Sequence, residues 1–182
     1  MSKTQKVVAL IIAEKNFRDE EYQTPKEMLE QAGVKVFTVS TSLKKAIGKL
    51  GMEAQPDLLI SALDKQGLDA LIFVGGGGSS QYFKDPTAHS LAWKFFNQGK
   101  IVGAICIAPV ILAEAGILKG IKATVFPDGK NILEEKGAVY TGKMVEIDRT
   151  APSGAIVITG AGPEAAPEFG RELVKLLAGL GS

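Results

Sequence analysis

Short runs of apolar residues, many of them β-branched, recur along this chain and constrain its fold more than any other feature. Helical patterns separate these runs. Apolar runs of this length are typical of strands buried on both faces, as in parallel sheets covered by crossover helices. The sequence therefore predicts an α/β fold with a mostly parallel, open sheet and helices on both faces. The predicted strands are Val7–Ala13, Val34–Val39, Ala70–Val74, Ile101–Ile105, Lys122–Phe126 and Ala155–Thr159.

Local turn and cap signals refine this outline. The stretch "MVEIDRTAPSGAIVIT" predicts two strands joined by a Pro-Ser-Gly turn. Asp85 is a plausible N-cap before Pro86, and Gly99 fits the end of that helix. The tetrad Thr24-Pro25-Lys26-Glu27 fits a capping box, which predicts a helix that begins there.

Length and composition limit the class of protein. The chain has 182 residues, 46% of them apolar, which predicts one domain over residues 1–182 with a sizeable core. Lys and Arg number 21 against 20 for Asp and Glu, so the charge balance predicts neither a nucleic-acid partner nor an anionic membrane surface. The apolar run Val7–Ala13 is too short to span a bilayer. We expect a cytoplasmic protein.

The single cysteine, Cys106, lies at a predicted corner between a strand and a helix. One cysteine excludes an intramolecular disulfide and favours a reducing compartment. A helix start favours an anion and lowers the pKa of a thiol placed there. The alternative is a buried cysteine that acts as a small apolar side chain. Both interpretations fit the position, and the corner placement of a unique cysteine favours function.

A run of glycines, Gly75 to Gly78, directly follows a predicted strand in "FVGGGGSSQYF". Three interpretations are open. The backbone could cradle a phosphate or flavin, although the run matches neither common phosphate-binding pattern. It could be a tight turn that requires positive φ. Its amides could form an oxyanion hole that faces Cys106.

The remaining polar residues suggest few other sites. In open α/β sheets, ligands bind outside the carboxyl ends of the strands, so the loops after Ala13, Val74, Ile105 and Thr159 are the places to examine. The acidic stretch "NFRDEEYQTPKEMLEQAG" lies in the first of these loops. The only histidine, His89, is expected to be an ordinary surface residue. The sequence contains no paired Cys/His spacing of the kind that predicts a metal site, and we expect no cofactor.

Taken together, the loop motifs resemble those of the DJ-1/PfpI (ThiJ) superfamily, in the family's order and over nearly the whole chain. The motifs are "NFRDEEY", "DALIFVGGGGSSQYF", "GAICIAPVILAEAGILKGIKATVFP" and "GAGPEAAPEFG". The resemblance implies a flavodoxin-like sandwich, a homodimer and a cysteine on a strained turn. It also implies that Glu21 approaches the sulfur of Cys106, and that the backbone amides of Gly75, Gly76 and Ile107 border it.

Two departures from the family pattern bear on activity. Members similar to the archaeal intracellular peptidase carry histidine directly after the cysteine, where this chain has Ile107. Members closer to DJ-1 carry a histidine in a later segment, where this chain has Phe126. We therefore expect a Cys–Glu pair in an apolar pocket that includes Phe126 and Tyr82.

The resemblance implies several functions. The first is thiolate chemistry on small activated carbonyls, of the glyoxalase, deglycase or hydrolase type, with Cys106 as nucleophile and Glu21 as proton shuttle. The alternatives are a non-enzymatic oxidative-stress sensor or chaperone and an intracellular cysteine peptidase. The glycine run by itself leaves a third alternative open, a ligand-binding module with no covalent chemistry. The expected partner is a small electrophile or oxidant. We further expect Glu21 to be protonated, with a raised pKa, and the pKa of Cys106 to lie below the usual ~8.5 of a free cysteine.

Overall fold

Most apolar runs of the sequence form strands of one central sheet in the computed structural model, which describes residues 5–65 and 67–180. The strands are β1 Val7–Ile11, β2 Lys15–Phe17, β3 Lys35–Ser40, β4 Ala46–Gly48, β5 Glu53–Ala54, β6 Leu58–Leu59, β7 Ala70–Phe73, β8 Ile101–Ile105, β9 Lys122–Ala123, β10 Val139–Tyr140, β11 Val145–Asp148 and β12 Ile156–Gly160. The α-helices are α1 Asp19–Gln31, α2 Pro86–Asn97, α3 Pro109–Glu114, α4 Lys130–Glu135 and α5 Ala166–Gly179. Short 3-10 helices cover Ile60–Lys65, Gly77–Tyr82, Pro127–Gly129 and Pro163–Ala165.

The sheet order is that of a flavodoxin-like fold. Within the described residues, seven strands pair in the order β11–β12–β8–β7–β1–β3–β6. The pair β11–β12 is antiparallel and the other neighbours are parallel. Numbered along the chain, the strands β3, β1, β7, β8 and β12 follow the order 2-1-3-4-5. The predicted mostly parallel sheet is confirmed, and so is the strand pair around the Pro-Ser-Gly turn.

Apolar side chains on alternate residues of β1 enter two separate cores. Ala9 and Ile11 pack in the core that also contains residues of α2 and α3. Val8 and Leu10 pack in the core that contains residues of α1 and α5. Because successive side chains of a strand point to opposite faces, this partition places helices on both faces of the sheet, as predicted.

The predicted strand Lys122–Phe126 is wrong in its extent and its partners. Only Lys122–Ala123 is a strand, and it pairs with β10 rather than with the central sheet. The following backbone is used elsewhere. The N–H of Thr124 donates to Thr159 Oγ1 at 2.9 Å, and the N–H of Phe126 donates to the carbonyl of Cys106 at 2.7 Å. These bonds turn the segment over the carboxyl end of the sheet.

Helix boundaries agree with the sequence in one place and differ in another. Asp85 caps α2 by accepting from the N–H of Thr87 at 2.9 Å, and Gly99 has φ of 69° just beyond the helix end, as expected. The capping box at Thr24 is wrong, because α1 already begins at Asp19 and contains Pro25. Three acidic residues in its first turn complement the positive end of the helix dipole.

Candidate active site

Cys106 lies between the end of β8 at Ile105 and the start of α3 at Pro109, as the sequence predicts. Its φ is 64°, a left-handed conformation that costs a side-chain-bearing residue free energy. Two backbone hydrogen bonds hold it there: its N–H donates to the carbonyl of Gly160 at 2.8 Å, and its carbonyl accepts from Phe126. The expected strained turn is confirmed. Strain of this kind concentrates at functional sites.

Cys106 lines a small cavity of about 260 Å³. The cysteine itself is 8% exposed, so the cavity reaches a side chain that is otherwise enclosed. The predicted residues Gly76, Ile107 and Phe126 line this cavity together with residues that the sequence analysis did not select. The full lining is Arg18, Lys49, Gly76, Gly77, Cys106, Ile107, Phe126, Asp128 and Pro163.

The glycine run allows the segment after β1 to pack directly against the loop after β7. A Cβ on Gly76, whose φ is 94°, would lie 2.5 Å from the N of Arg18, and a Cβ on Gly78 would overlap the carbonyl oxygen of Lys15. The tight-turn interpretation, which requires positive φ, therefore accounts for Gly76, whereas Gly78 is explained by its close approach to Lys15. The N–H of Gly76 also faces the sulfur of Cys106, as does the N–H of Ile107, and both lower the pKa of the thiol.

Glu21 lies in the first turn of α1, next to Cys106 and outside the cavity lining, and is 1% exposed. The absence of a side chain at Gly75 leaves room for Glu21 to approach Cys106, since a Cβ on Gly75 would contact the Glu21 carboxylate and lie 2.6 Å from Cys106 Cβ. Within the described chain, neither carboxyl oxygen has a hydrogen-bond partner of good geometry. The Cys106 thiol and the Gly75 N–H nevertheless approach closely enough to lower the carboxyl pKa. Burial outweighs them and raises the pKa of Glu21 to about 8, in the direction expected from the sequence.

The expected pKa of Cys106 is wrong in direction. Burial, followed by the neighbouring Glu21 carboxylate, raises the pKa of the thiol to about 12. The amides of Gly76 and Ile107 act in the opposite sense and are outweighed. Helix α3 spans only Pro109–Glu114, which limits the dipole at its start. At neutral pH the pair is therefore largely uncharged, with a proton on each group.

Two residues considered in the sequence lie outside the cavity. Tyr82, predicted as a pocket residue, is 1% exposed in the core, where its hydroxyl donates to the carbonyl of Ile12 at 2.8 Å and its ring contacts Phe73. That prediction is wrong, because Tyr82 at the end of a 3-10 helix is directed into the apolar core. His89 lies in α2 and its ring bonds to the carbonyl of Phe83, away from the cavity lining.

The charged residues of the cavity were missed by sequence reasoning. Arg18 lies inside the motif "NFRDEEY" and could have been found there. Lys49 follows β4 in a segment with no strong periodic signal. Asp128 lies in the 3-10 helix Pro127–Gly129, beyond the segment whose strand was predicted wrongly.

The described residues offer no metal site and no membrane span. No three His, Cys, Asp or Glu side chains in this part of the chain are close enough together to hold a metal ion. Among the described helices, none is both long enough and apolar enough to cross a membrane.

The fold and the site define a flavodoxin-like protein with its single cysteine on a strained strand-to-helix turn. The DJ-1/PfpI family model matches residues 6–176, and the chain belongs to this family. An uncharacterized protein of Methanocaldococcus jannaschii is 39% identical over 93% of this chain and 82% of that protein. A Pyrococcus horikoshii protein named as a deglycase is 30% identical over 92% of this chain and 98% of its own length.

A solved structure is similar over almost the whole chain. The crystal structure of a ThiJ/PfpI domain protein from Brachyspira murdochii has a TM-score of 0.90 and 31% sequence identity, and the match covers 97% of this chain and 99% of that one. The family resemblance identified in the sequence is confirmed.

Proposed function

We propose that the chain is a cysteine-dependent enzyme that acts on small activated carbonyls, such as 2-oxoaldehydes. Cys106 is the nucleophile and Glu21 is its acid–base partner. The observation that carries the proposal is the placement of Cys106 on a strained turn, between a cavity and the buried carboxyl of Glu21. Strained backbone and a strongly perturbed carboxyl pKa occur together mainly at functional sites. The relative named as a deglycase is consistent with carbonyl chemistry.

The first step is addition of the thiol to the carbonyl carbon. The sulfur forms a bond to carbon, the C=O π pair moves to oxygen, and the S–H proton passes to Glu21 in its ionised form, a minority at pH 7 that increases as the pH approaches 8. The N–H groups of Gly76 and Ile107, which face the sulfur, are placed to stabilise the new oxyanion. Protonated Glu21 then returns the proton to that oxygen and leaves a hemithioacetal. A carboxyl with a pKa near 8 is suited to both directions of this transfer near neutral pH.

With a 2-oxoaldehyde, the reaction is completed by two further steps. A proton moves from the hemithioacetal carbon to the adjacent carbonyl carbon. The hemithioacetal hydroxyl also gives up its proton and the former carbonyl oxygen takes one up, which gives a 2-hydroxy thioester on Cys106. Water then cleaves the thioester and releases a 2-hydroxy acid and the free thiol. Glu21 is the proton carrier in this scheme. A cavity of about 260 Å³ suits a substrate of a few heavy atoms.

The alternatives have weaker support. A peptidase must protonate a poor amine leaving group, usually with histidine, and Ile107 and Phe126 occupy the corresponding positions. A peroxide sensor needs thiolate, and burial raises the pKa of Cys106. A glycine-loop binding module does not use the cysteine, whereas the N–H groups of Gly76 and Ile107 face the sulfur of Cys106.

We expect wild-type protein to convert methylglyoxal and the Cys106→Ala variant to lose at least about a hundredfold in kcat/KM, because removing the nucleophile removes the covalent route. The measurement is a panel of glyoxals, thioesters and casein, assayed by product formation and mass spectrometry of the Cys106 adduct. The matched control is Gly179→Ala at the end of α5, which adds a side chain where nothing lies within 4 Å and which is not part of the cavity lining.

Three results would contradict the proposal. Casein cleavage that Cys106→Ala abolishes would favour the peptidase. Sulfinate formation under mild peroxide, without turnover of any panel compound, would favour the sensor. Retention of small-anion binding by Cys106→Ala, again without turnover, would favour the binding module.

We also propose that the chain forms a homodimer with the Glu21–Cys106 region near the interface, as family membership implies. Leu43 and Leu50 are 51% and 63% exposed in the segment that also supplies Lys49 to the cavity. Light scattering at micromolar concentration is expected to give twice the chain mass, and Leu50→Glu is expected to give the monomer. Leu180→Glu, at another exposed leucine, is the control. A wild-type monomer would contradict this prediction.

A further inference from the structure

Two cations, Arg18 and Lys49, line the cavity that Cys106 faces. The proposed addition chemistry does not use either of them. Both lie on the side of the cavity formed by β2, the β4–β5 hairpin and the glycine loop. Backbone hydrogen bonds join these three elements, because β2 pairs with β4 and the N–H of Arg18 donates to the carbonyl of Gly75 at 2.9 Å.

The backbone of Lys49 is fixed in place by neighbouring groups. Its N–H donates to the carbonyl of Phe17 at 2.8 Å. The buried carboxylate of Asp19 accepts from the N–H groups of Leu50 at 2.9 Å and Met52 at 2.8 Å. Gly48 lies so close to that carboxylate that a Cβ there would be 2.6 Å from its carbon. The Lys49 side chain therefore extends from a turn that these hydrogen bonds hold in place, and Lys49 itself is exposed.

Hydrogen bonds fix both the backbone N–H and the guanidinium of Arg18. Its guanidinium makes two hydrogen bonds to the Glu20 carboxylate, at 2.8 and 3.1 Å. Its charge nevertheless acts on the site, since it lowers the pKa of Glu21. The opposite side of the cavity is mostly apolar, with Ile107, Phe126 and Pro163, and carries one carboxylate, Asp128. The cations and the carboxylate thus come from different elements of the fold.

We propose that Arg18 and Lys49 select electrophiles that carry an anionic group, a carboxylate or a phosphate, next to the reactive carbon. This inference rests on the proposed function in that it assigns the substrate class of the same cysteine. The anionic group lies toward Arg18 and Lys49, and the carbon skeleton contacts Ile107 and Phe126. A Coulomb interaction within a partly enclosed cavity is strong enough to discriminate between a charged substrate and a neutral one of equal size.

The test compares alkylation of Cys106 by iodoacetate and by iodoacetamide, which are similar in size and differ by one negative charge. The quantity measured is the ratio of the two second-order rate constants at pH 9 and low salt, obtained by mass spectrometry. Lys49→Gln is expected to lower the iodoacetate-to-iodoacetamide ratio about threefold to tenfold. Lys49→Arg is expected to retain it, and Asp128→Asn is expected to raise it.

The control is Lys44→Gln, an exposed lysine before the same hairpin that does not line the cavity, and it should leave the ratio unchanged. Added salt should reduce the wild-type ratio. An equal ratio in wild type and Lys49→Gln would overturn the proposal, and so would a Cys106 that neither reagent reaches. Alkylation requires no turnover, so a charge-dependent ratio with no conversion of any aldehyde would refute the proposed function alone.

Discussion

Replacing Glu21 with glutamine is expected to raise the free energy of unfolding by about 3–5 kcal/mol at pH 8. Burial raises the pKa of Glu21 from 4.5 to about 8 in the folded protein. Folding between these pH values must therefore take up a proton, because the unfolded chain carries an ionised carboxylate and the folded chain a neutral acid. The stability of the wild type is full below pH 4.5 and is lost as the pH rises toward 8. Glutamine has nearly the same shape and no proton to take up.

The measurement is urea unfolding of wild type and Glu21→Gln at pH 5 and pH 8. The increase in the free energy of unfolding caused by Glu21→Gln should fall below about 1 kcal/mol at pH 5, where the carboxylate of the unfolded chain is itself partly protonated. Glu20→Gln is the matched control, since Glu20 is half-buried and paired with Arg18, and a solvent-accessible pair of this kind contributes at most about 1 kcal/mol. A gain of equal size at both pH values would show that it arises from packing rather than from proton uptake.

The same substitution is expected to separate stability from activity. Wild-type turnover should rise with an inflection near pH 8 as Glu21 becomes a base, and Glu21→Gln should lose this inflection together with most of the rate. A variant that is more stable and less active is the expected result when a residue is retained for chemistry at a cost in stability. Full activity in Glu21→Gln would remove Glu21 from the mechanism.

Replacing Gly78 with alanine is expected to lower the free energy of unfolding by about 3 kcal/mol, or to prevent folding. A Cβ at this position would overlap the carbonyl oxygen of Lys15 and lie 2.9 Å from the Cβ of Ala13. Both neighbours are fixed, one a backbone atom at the start of β2 and the other a fully buried side chain. The strain cannot be relieved by rotating a flexible side chain, so β2 must move.

Gly77→Ala provides the comparison one residue earlier. Nothing lies within 4 Å of a Cβ there, and we expect a change within about 0.5 kcal/mol. Urea midpoints of the two variants test the prediction. If both variants behave alike, the glycine run is not required for close packing against residues 15–18. If Gly78→Ala fails to fold while Gly77→Ala is normal, soluble yield and circular dichroism report the same difference.

Several elements were predictable because their signals are local. The apolar runs of β1, β7, β8 and β12 required burial on both sheet faces, and the parallel order followed from the helices between them. Cys106 could be placed at a corner because a strand pattern ends at Ile105 and Pro109 opens a helix. The approach of Glu21 to Cys106 followed from the motifs of the family, whose loops meet at one edge of the sheet.

Other features depended on contacts between distant parts of the chain. The run Lys122–Phe126 has the composition of a strand, yet its N–H groups bond to Thr159 and Cys106 instead of to a neighbouring strand. Tyr82 follows the glycine loop in the sequence, but the 3-10 helix that carries it turns its ring into the core. Lys49 reaches the cavity because the carboxylate of Asp19 holds its turn, and no local pattern indicates that contact.

The sequence by itself therefore determined the layers of the fold and the residue that occupies its strained turn, because strand periodicity, caps and glycine conformations act within a few residues. Only the tertiary structure decided the charge of the site. Isolated helix-start arguments predict a lowered thiol pKa at Cys106, whereas the folded chain raises it to about 12. The physical reason is that the free energy of an ionised group depends on all the atoms that displace water around it. Those atoms come from α1, the loop after β7, β12 and the segment at Phe126, which become neighbours only when the sheet forms.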